Sequence, residues 1–402
     1  MKIAILAPSH SSFIKEFLPN HQFENLSIGY AGATFVGTII KELLLRNHEV
    51  IAITTNPAND GKYEIQKFTN NKFTWYVVPS RPNSFRLNGT KLGRIVDFFS
   101  YEVNLMSKIL IDLKPDIVHS FWSYEFTAAA KQSQLPFLAT IEDNAFVILK
   151  YFKNFYRLGR LIMSERILKN VKHLTTVSPY MVNYCKRHGA NVKVIPNPTP
   201  IIYKNLDIDG FIQARIEQFP QFKIVMINNG WDTRKNGKCG LLAFKLLLDK
   251  YPQSTLHLFG SGSEKDGLAN KDANSMNLKG IQFWGTVSKE TIISNLKTAH
   301  LFLHPALEES FGVVIIEAMA LGVPVIGGEK SGGVPWVVND NDLLVDVTNH
   351  KTIGAKIISI LSDKKLYTEK SVSVFKQAEN KYSSENVVDA FEKYYYEIMK
   401  SF

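Results

Sequence analysis

Short apolar runs separated by amphipathic stretches of helix length set the rhythm of this chain. In the first half the runs fall at residues 3–6, 50–54, 75–78, 117–119, 137–141 and 174–177, with a further one at 192–195. Runs this short, bounded by turn-forming residues, read as strands buried on both faces, and their alternation with helical patterns predicts a parallel sheet. Pro196-Asn197-Pro198-Thr199-Pro200 then interrupts regular structure and marks a hinge. A second series at 223–228, 255–259, 281–284, 301–304 and 323–326 repeats the rhythm. The predicted fold class is therefore α/β, with two Rossmann-like domains facing across a cleft. The expected division is an N-terminal domain over 1–198, a linker over 199–222, a C-terminal domain over 223–382, and a closing helix over 383–402. In that last stretch Val387, Val388, Phe391, Tyr394, Tyr395 and Ile398 share one helical face, which suits packing back toward the first domain.

Composition narrows the class without choosing a function. At 402 residues and 45% hydrophobic, the chain is long enough for two cores of ordinary size. Its two cysteines, Cys185 and Cys239, are far apart and lack metal-ligand spacing, which fits a reducing, cytoplasmic setting. Residues 1–8 carry too short an apolar run for a secretory core and read as a first strand. No apolar stretch approaches the roughly 20 residues needed to cross a bilayer, so any membrane contact is expected to be peripheral. A formal net charge of +10 suits a phosphorylated substrate or an anionic lipid surface; without zinc-finger spacing, an RNP-like motif or a lysine-rich tail, no nucleic-acid partner is expected.

Candidate chemistry concentrates in residues 304–324, which read as strand end, loop, helix and strand. Glu309 lies just before the helix and Glu317 within it; Gly312 allows close backbone approach where the helix begins, and Gly322 with Pro324 ends it. A helix start offers unpaired N–H groups and partial positive charge to phosphate, and carboxylates accept hydrogen bonds from sugar hydroxyls. The segment thus reads as a sugar-nucleotide pocket. Further strand-to-helix turns occur at 229–237, with the adjacent cations Arg234 and Lys235, at 260–262, with Gly260 and Gly262, and at 29–34, with Gly32.

On these motifs the chain resembles the family 4 retaining glycosyltransferases of the GT-B type, also called group 1. The resemblance is strongest over 224–345 and rests on Glu309 and Glu317 within Glu-Ser-Phe-Gly-Val-Val-Ile-Ile-Glu-Ala-Met-Ala. It implies that Glu309 contacts donor-sugar hydroxyls, that Glu317 holds the nucleotide ribose, and that the backbone at Phe311 and Gly312 meets the donor near its diphosphate. Lys235 matches the family's diphosphate-neutralising lysine. The usual arginine position is Trp231 here, leaving Arg234 to supply that charge. Gly32 matches the glycine-rich loop of the first domain, and Gly260 and Gly262 the loop beside the base. Glu309, Lys235 and Arg234 are thus the catalytic candidates; Glu317, Phe311, Gly312, Gly32, Gly260 and Gly262 are the donor-binding ones.

The first domain departs from the family pattern. Where many relatives carry a reactive histidine, this chain has Phe121, followed by Trp122; His119 ends a buried strand and reads more readily as a core residue. Glu142 and Asp143 replace another common histidine-containing pair. His119, Trp122, Glu142 and Asp143 are the acceptor-binding candidates. Asp207-Ile208-Asp209 lies away from any predicted strand end and reads as a surface coincidence, so no metal is expected, and no cofactor beyond the donor substrate. Over 150–172, Lys150, Lys153, Arg157 and Arg160 recur at helical spacing beside apolar residues, which suits either an anionic membrane contact or a helix packed on its own domain. The functional reading is a metal-independent hexosyltransferase using a nucleoside diphosphate sugar, with a glycan or lipid-linked acceptor in surface polysaccharide biosynthesis, at the inner face of the cell membrane. A nucleotide-sugar epimerase, a glycan phosphorylase or a non-catalytic sugar-nucleotide-binding subunit remain competing readings.

Overall fold

The computed structural model describes residues 1–56, 64–81, 93–201, 203 and 206–402. The chain forms two compact units, Met1–Pro198 with Ser384–Phe402, and Thr199–Ser383.

The first unit is built on an eight-stranded sheet. Its strands are β1 (Lys2–Leu6), β2 (Glu49–Asn56), β3 (Gln66–Asn70), β4 (Phe73–Pro79), β5 (Ile117–Phe121), β6 (Phe137–Ile141), β7 (His173–Thr176) and β8 (Asn191–Val194). They lie in the order β3-β4-β2-β1-β5-β6-β7-β8. All neighbours are parallel except β3, which runs antiparallel to β4 at the edge. That strand escapes the apolar pattern because Phe68 is its only buried residue. Ile3 registers with Val50 on one side and Ile117 on the other, so three apolar runs meet at the sheet centre. Leu6, Ile53, Met106, Leu110 and Val118 belong to the core built around them.

The helix Ser384–Ser401 belongs to this unit, and Val387, Val388, Phe391, Tyr394, Tyr395 and Ile398 are its buried face. Polar contacts fix its register: Arg46 Nη1 lies 2.5 Å from Asp389, and His48 Nε2 2.5 Å from Glu392.

The basic stretch corrects the sequence reading. Instead of one helix there are two, Ala145–Tyr151 and Phe155–Leu168. Asn154 separates them, its side chain capping the second through the Arg157 N–H at 2.9 Å. Arg160 does not join the exposed cations: its guanidinium is buried, 3.1 Å from Glu125 and 3.3 Å over the Tyr124 ring. Phe155, Leu158 and Ile162 form an exposed apolar strip on the same helix. Among the described residues no helix is long and apolar enough to cross a membrane.

The second unit carries a six-stranded, all-parallel sheet in the order β11-β10-β9-β12-β13-β14. Its strands are β9 (Lys223–Ile227), β10 (Thr255–Phe259), β11 (Ile281–Gly285), β12 (Leu301–His304), β13 (Val325–Gly328) and β14 (Leu344–Val345). The chain order reverses between β9 and β12, and at the carboxyl edge of such a switch point α/β folds place their ligands. Residues 208–217, read as linker, are a helix of this unit. Asp207 caps it, accepting from the Gly210 N–H at 2.8 Å. Buried Arg215 donates to the carbonyls of Leu321 at 3.0 Å and Gly322 at 2.9 Å, satisfying acceptors left open at the end of the helix Val313–Met319.

Candidate active site

Three loops at the carboxyl edge of the second sheet are tied to one another through their backbones. After β9, the Asp232 carboxylate accepts from the N–H groups of Arg234 at 2.9 Å and Lys235 at 3.3 Å, a local turn that sets both cations side by side. The Arg234 carbonyl accepts from the Leu307 N–H at 2.8 Å, and Asn236 Nδ2 donates to the Pro305 carbonyl at 3.0 Å. After β13, the Gly333 N–H donates to the Glu309 carbonyl at 2.8 Å and Ser331 Oγ to the Ala306 carbonyl at 2.6 Å. The Gly333 N–H therefore serves the loop that carries Glu309.

Glu309 and Lys235 meet directly, with Nζ donating to Oε2 at 3.0 Å. His304 Nε2 lies 3.8 Å from the same oxygen. Burial alone would raise the Glu309 carboxyl, but the charge of Lys235, that of His304 once its ring is protonated in acid, and that of Arg234 outweigh it and hold the group down at about 2. Burial and the neighbouring cations conversely push His304 down to about 4, so its ring is neutral at ordinary pH. The Arg234 guanidinium stands 3.6 Å from Glu308.

The remaining donor candidates have distinct surroundings. Gly312, at φ +86°, is the cap before the helix Val313–Met319. Phe311 is buried against Tyr382, with ring centroids 5.7 Å apart, so its ring is core packing. Gly260, at φ +95°, lies so close to β9 that a Cβ there would stand 2.1 Å from the Asn228 carbonyl oxygen. A Cβ at Gly262 would meet Trp231. Trp231, which replaces the family's arginine, donates its indole N–H to Asp272 at 2.8 Å.

Glu317 is fully buried. Its Oε1 pairs with Lys289, whereas Oε2 has no protein partner. Burial raises its carboxyl and the Lys289 ammonium partly opposes that rise.

Sequence reasoning missed three residues. His304 is enclosed with neither ring nitrogen hydrogen-bonded, Asn228 is buried with both amide atoms unpartnered, and Lys289 reaches Glu317. The position of His304 at a strand end, next to Pro305 and close before Glu309, was a usable signal. Nothing in the sequence links Lys289 to Glu317.

In the first unit, Gly32 and Trp122 come together: a Cβ on Gly32 would lie 4.0 Å from the indole. Trp122 packs edge-on against Tyr30, with centroids 5.6 Å apart. Glu142 follows β6 and accepts from Asn197 Nδ2 at 2.9 Å, while its Oε1 and the Asn197 Oδ1 are enclosed without partners. Burial pushes Glu142 up to about 8, helped by Asp143 and opposed by Asn197. His119 is a core residue. Its ring nitrogens contact Tyr395 Oη at 2.6 Å and Thr140 Oγ1 at 2.7 Å, and burial lowers it to about 3, so no nitrogen is left for an acceptor. Among the described residues no group of three or more His, Cys, Asp or Glu side chains is arranged to hold a metal ion.

Known proteins share this architecture and these stretches of sequence. Sucrose-phosphate synthase from Thermosynechococcus elongatus superposes with a TM-score of 0.75 over 100% of this chain and 99% of that one, at 18% identity. The fold is that of the GT-B glycosyltransferases. The family described as "Glycosyl transferases group 1" matches residues 213–380, and "Glycosyltransferase Family 4" matches 32–201. The chain belongs to the group 1 glycosyltransferases. N-acetyl-alpha-D-glucosaminyl L-malate synthase from Bacillus anthracis is 30% identical over 114 residues, 28% of this chain and 30% of that protein. The capsular polysaccharide biosynthesis glycosyltransferase CapM of Staphylococcus aureus is 34% identical over 109 residues, 27% of this chain and 29% of that protein. The matched segments thus span less than a third of either curated relative.

Proposed function

We propose that this chain is a retaining glycosyltransferase that moves a hexose-type sugar from a nucleoside diphosphate sugar to an acceptor hydroxyl, in surface polysaccharide or lipid-linked glycan biosynthesis. The observation that carries the reading is the Lys235–Glu309 pair, 3.0 Å apart on loops leaving the carboxyl ends of β9 and β12. A carboxylate kept ionised there can accept hydrogen bonds from sugar hydroxyls, and the ammonium can neutralise a diphosphate. Glu317, with one buried oxygen unpartnered, suits a ribose hydroxyl. The names of the two curated relatives support a sugar-transferring role.

In the proposed reaction the bond between the anomeric carbon and the diphosphate oxygen breaks, and that oxygen keeps the electron pair. Lys235 and Arg234 stabilise the growing negative charge. The acceptor oxygen bonds to the anomeric carbon on the same face, and its proton passes to the departing phosphate. Retention rests on the family resemblance. Because the two cations neutralise the leaving group, the reaction is proposed to run without a metal. A cytoplasmic, membrane-facing location is supported by two free, buried cysteines and by exposed Phe155, Leu158 and Ile162 on a helix preceded by exposed Lys150 and Lys153.

A thermal-shift panel of nucleoside diphosphates and their sugars tests the reading, since a ligand of the native state raises Tm by mass action. At least one base is expected to raise it, with a loss of response in Glu317→Ala. No response to any diphosphate or sugar diphosphate at millimolar concentration overturns it.

A further inference from the structure

Lys289 opens the helix Lys289–Lys297, whose cap Ser288 accepts from the Thr291 N–H at 3.2 Å. A lysine in the first helical turn is electrostatically out of place, because that end already carries partial positive charge. Its partner explains the position. The ammonium reaches from a side chain 32% exposed onto Glu317, whose side chain is 0% exposed. A carboxylate enclosed to that degree would ordinarily take up a proton, and an oxygen left without a donor carries a desolvation cost. Here Lys289 satisfies Oε1 and supplies the countercharge, while Oε2 stays enclosed and unpartnered. Among the described residues, Lys289 is the charged group that bears on Glu317. One oxygen is therefore occupied and one is open to a hydrogen-bond donor.

We propose that Lys289 is a positioning residue for the nucleotide: it holds Glu317 as a carboxylate whose Oε2 receives a ribose hydroxyl. This rests on the donor-site reading above and adds to it a residue that acts through Glu317 without touching the ligand. The consequence is a coupling between pH and nucleotide affinity that Lys289 suppresses. With the ammonium removed, burial acts on Glu317 unopposed, the carboxyl keeps its proton to higher pH, and the hydrogen bond from ribose loses its charge assistance. Affinity should then fall as pH falls, at a higher pH than in the wild type.

The test is calorimetric titration with UDP, GDP, ADP and dTDP from pH 6 to 9, continued with whichever ribonucleotide binds and its 2′- and 3′-deoxy analogues. Lys289→Met is expected to bind the ribonucleotide roughly tenfold more weakly than wild type at the acid end of that range and to draw closer to wild type as pH rises. Its discrimination against one deoxy analogue should shrink at low pH in parallel. Lys289→Arg should behave as wild type, and Lys289→Met with Glu317→Gln should lose the pH dependence. Affinity unchanged in Lys289→Met overturns the proposal, as does a loss equal at every pH, which would mean that the ammonium touches the nucleotide itself. Tighter binding overturns it too, by making the lysine a plug. Failure of the wild type to bind any of the four diphosphates refutes the donor-site reading instead.

Discussion

Replacing Glu309 with glutamine keeps the side-chain shape and removes the charge that faces Lys235 at 3.0 Å. The carboxyl is held at about 2, down from the ordinary 4.5, and its side chain is only 18% exposed, so little of the interaction is lost to solvent. A depression of that size corresponds to at most about 3 kcal/mol of stability at neutral pH, where His304 is neutral and Lys235 and Arg234 supply the charge. Glutamine still offers an acceptor to Lys235, so the expected loss in Glu309→Gln is about 2–3 kcal/mol. The sign of the pH dependence follows from the direction of the shift. A carboxyl depressed in the folded state stabilises fully above its unfolded value, and that contribution disappears as pH falls through the folded value. Urea denaturation followed by tryptophan fluorescence should therefore separate wild type from variant most at pH 7, with a gap that shrinks by about 2 kcal/mol, to about 0–1 kcal/mol, near pH 3. Binding of the bare nucleoside diphosphate should change little while sugar turnover falls. A gap absent at pH 7, or one that widens in acid, would show that Glu309 is not held as an ionised partner of Lys235.

Other substitutions separate local effects. Because Glu142 is raised to about 8, its carboxyl penalises the folded state progressively from the unfolded value up through that pH; Glu142→Gln should be more stable than wild type at pH 8–9 and similar near pH 4 by urea denaturation. Arg160→Met leaves Glu125 buried and unpaired and should cost about 3–5 kcal/mol in the same assay. Glutamine at the exposed positions Lys150 and Lys153 should leave stability unchanged but weaken co-sedimentation with anionic liposomes; equal sedimentation would remove those lysines from any membrane contact. Transfer activity should persist in excess chelator, and a complete loss restored by magnesium or manganese would contradict neutralisation by Lys235 and Arg234.

The sheets were legible because their strands are continuous apolar runs, and burial on both faces leaves little else those runs can be. β3 was not, since an edge strand with one buried phenylalanine carries almost no apolar signal. The helix at 208–217 was hidden for a related reason: it buries little beyond Ile212 and Arg215, and the arginine is inside because it satisfies carbonyls far along the chain. The same limit governed Arg160, whose helical spacing with Lys150 and Lys153 gave no hint of Glu125 and Tyr124 behind it. At the site, Glu309, Glu317 and Lys235 stood out because strand, loop and helix occur in a fixed order around them. His119 could be weighed from its strand but not assigned, because its partners Tyr395 and Thr140 lie on separate segments. Lys289 shows the boundary most clearly: its contact joins two helices 28 residues apart in sequence, and local pattern carries no information about it.

The most direct test of the central claim is time-resolved proton NMR of sugar release from the nucleoside diphosphate sugar that the thermal-shift panel selects, with water as the minimal acceptor. The account predicts that the first-formed free sugar has the anomeric configuration of the donor, and that release falls sharply in Glu309→Gln and in Lys235→Met. A first product of opposite configuration, or release that both substitutions leave unchanged, would contradict it.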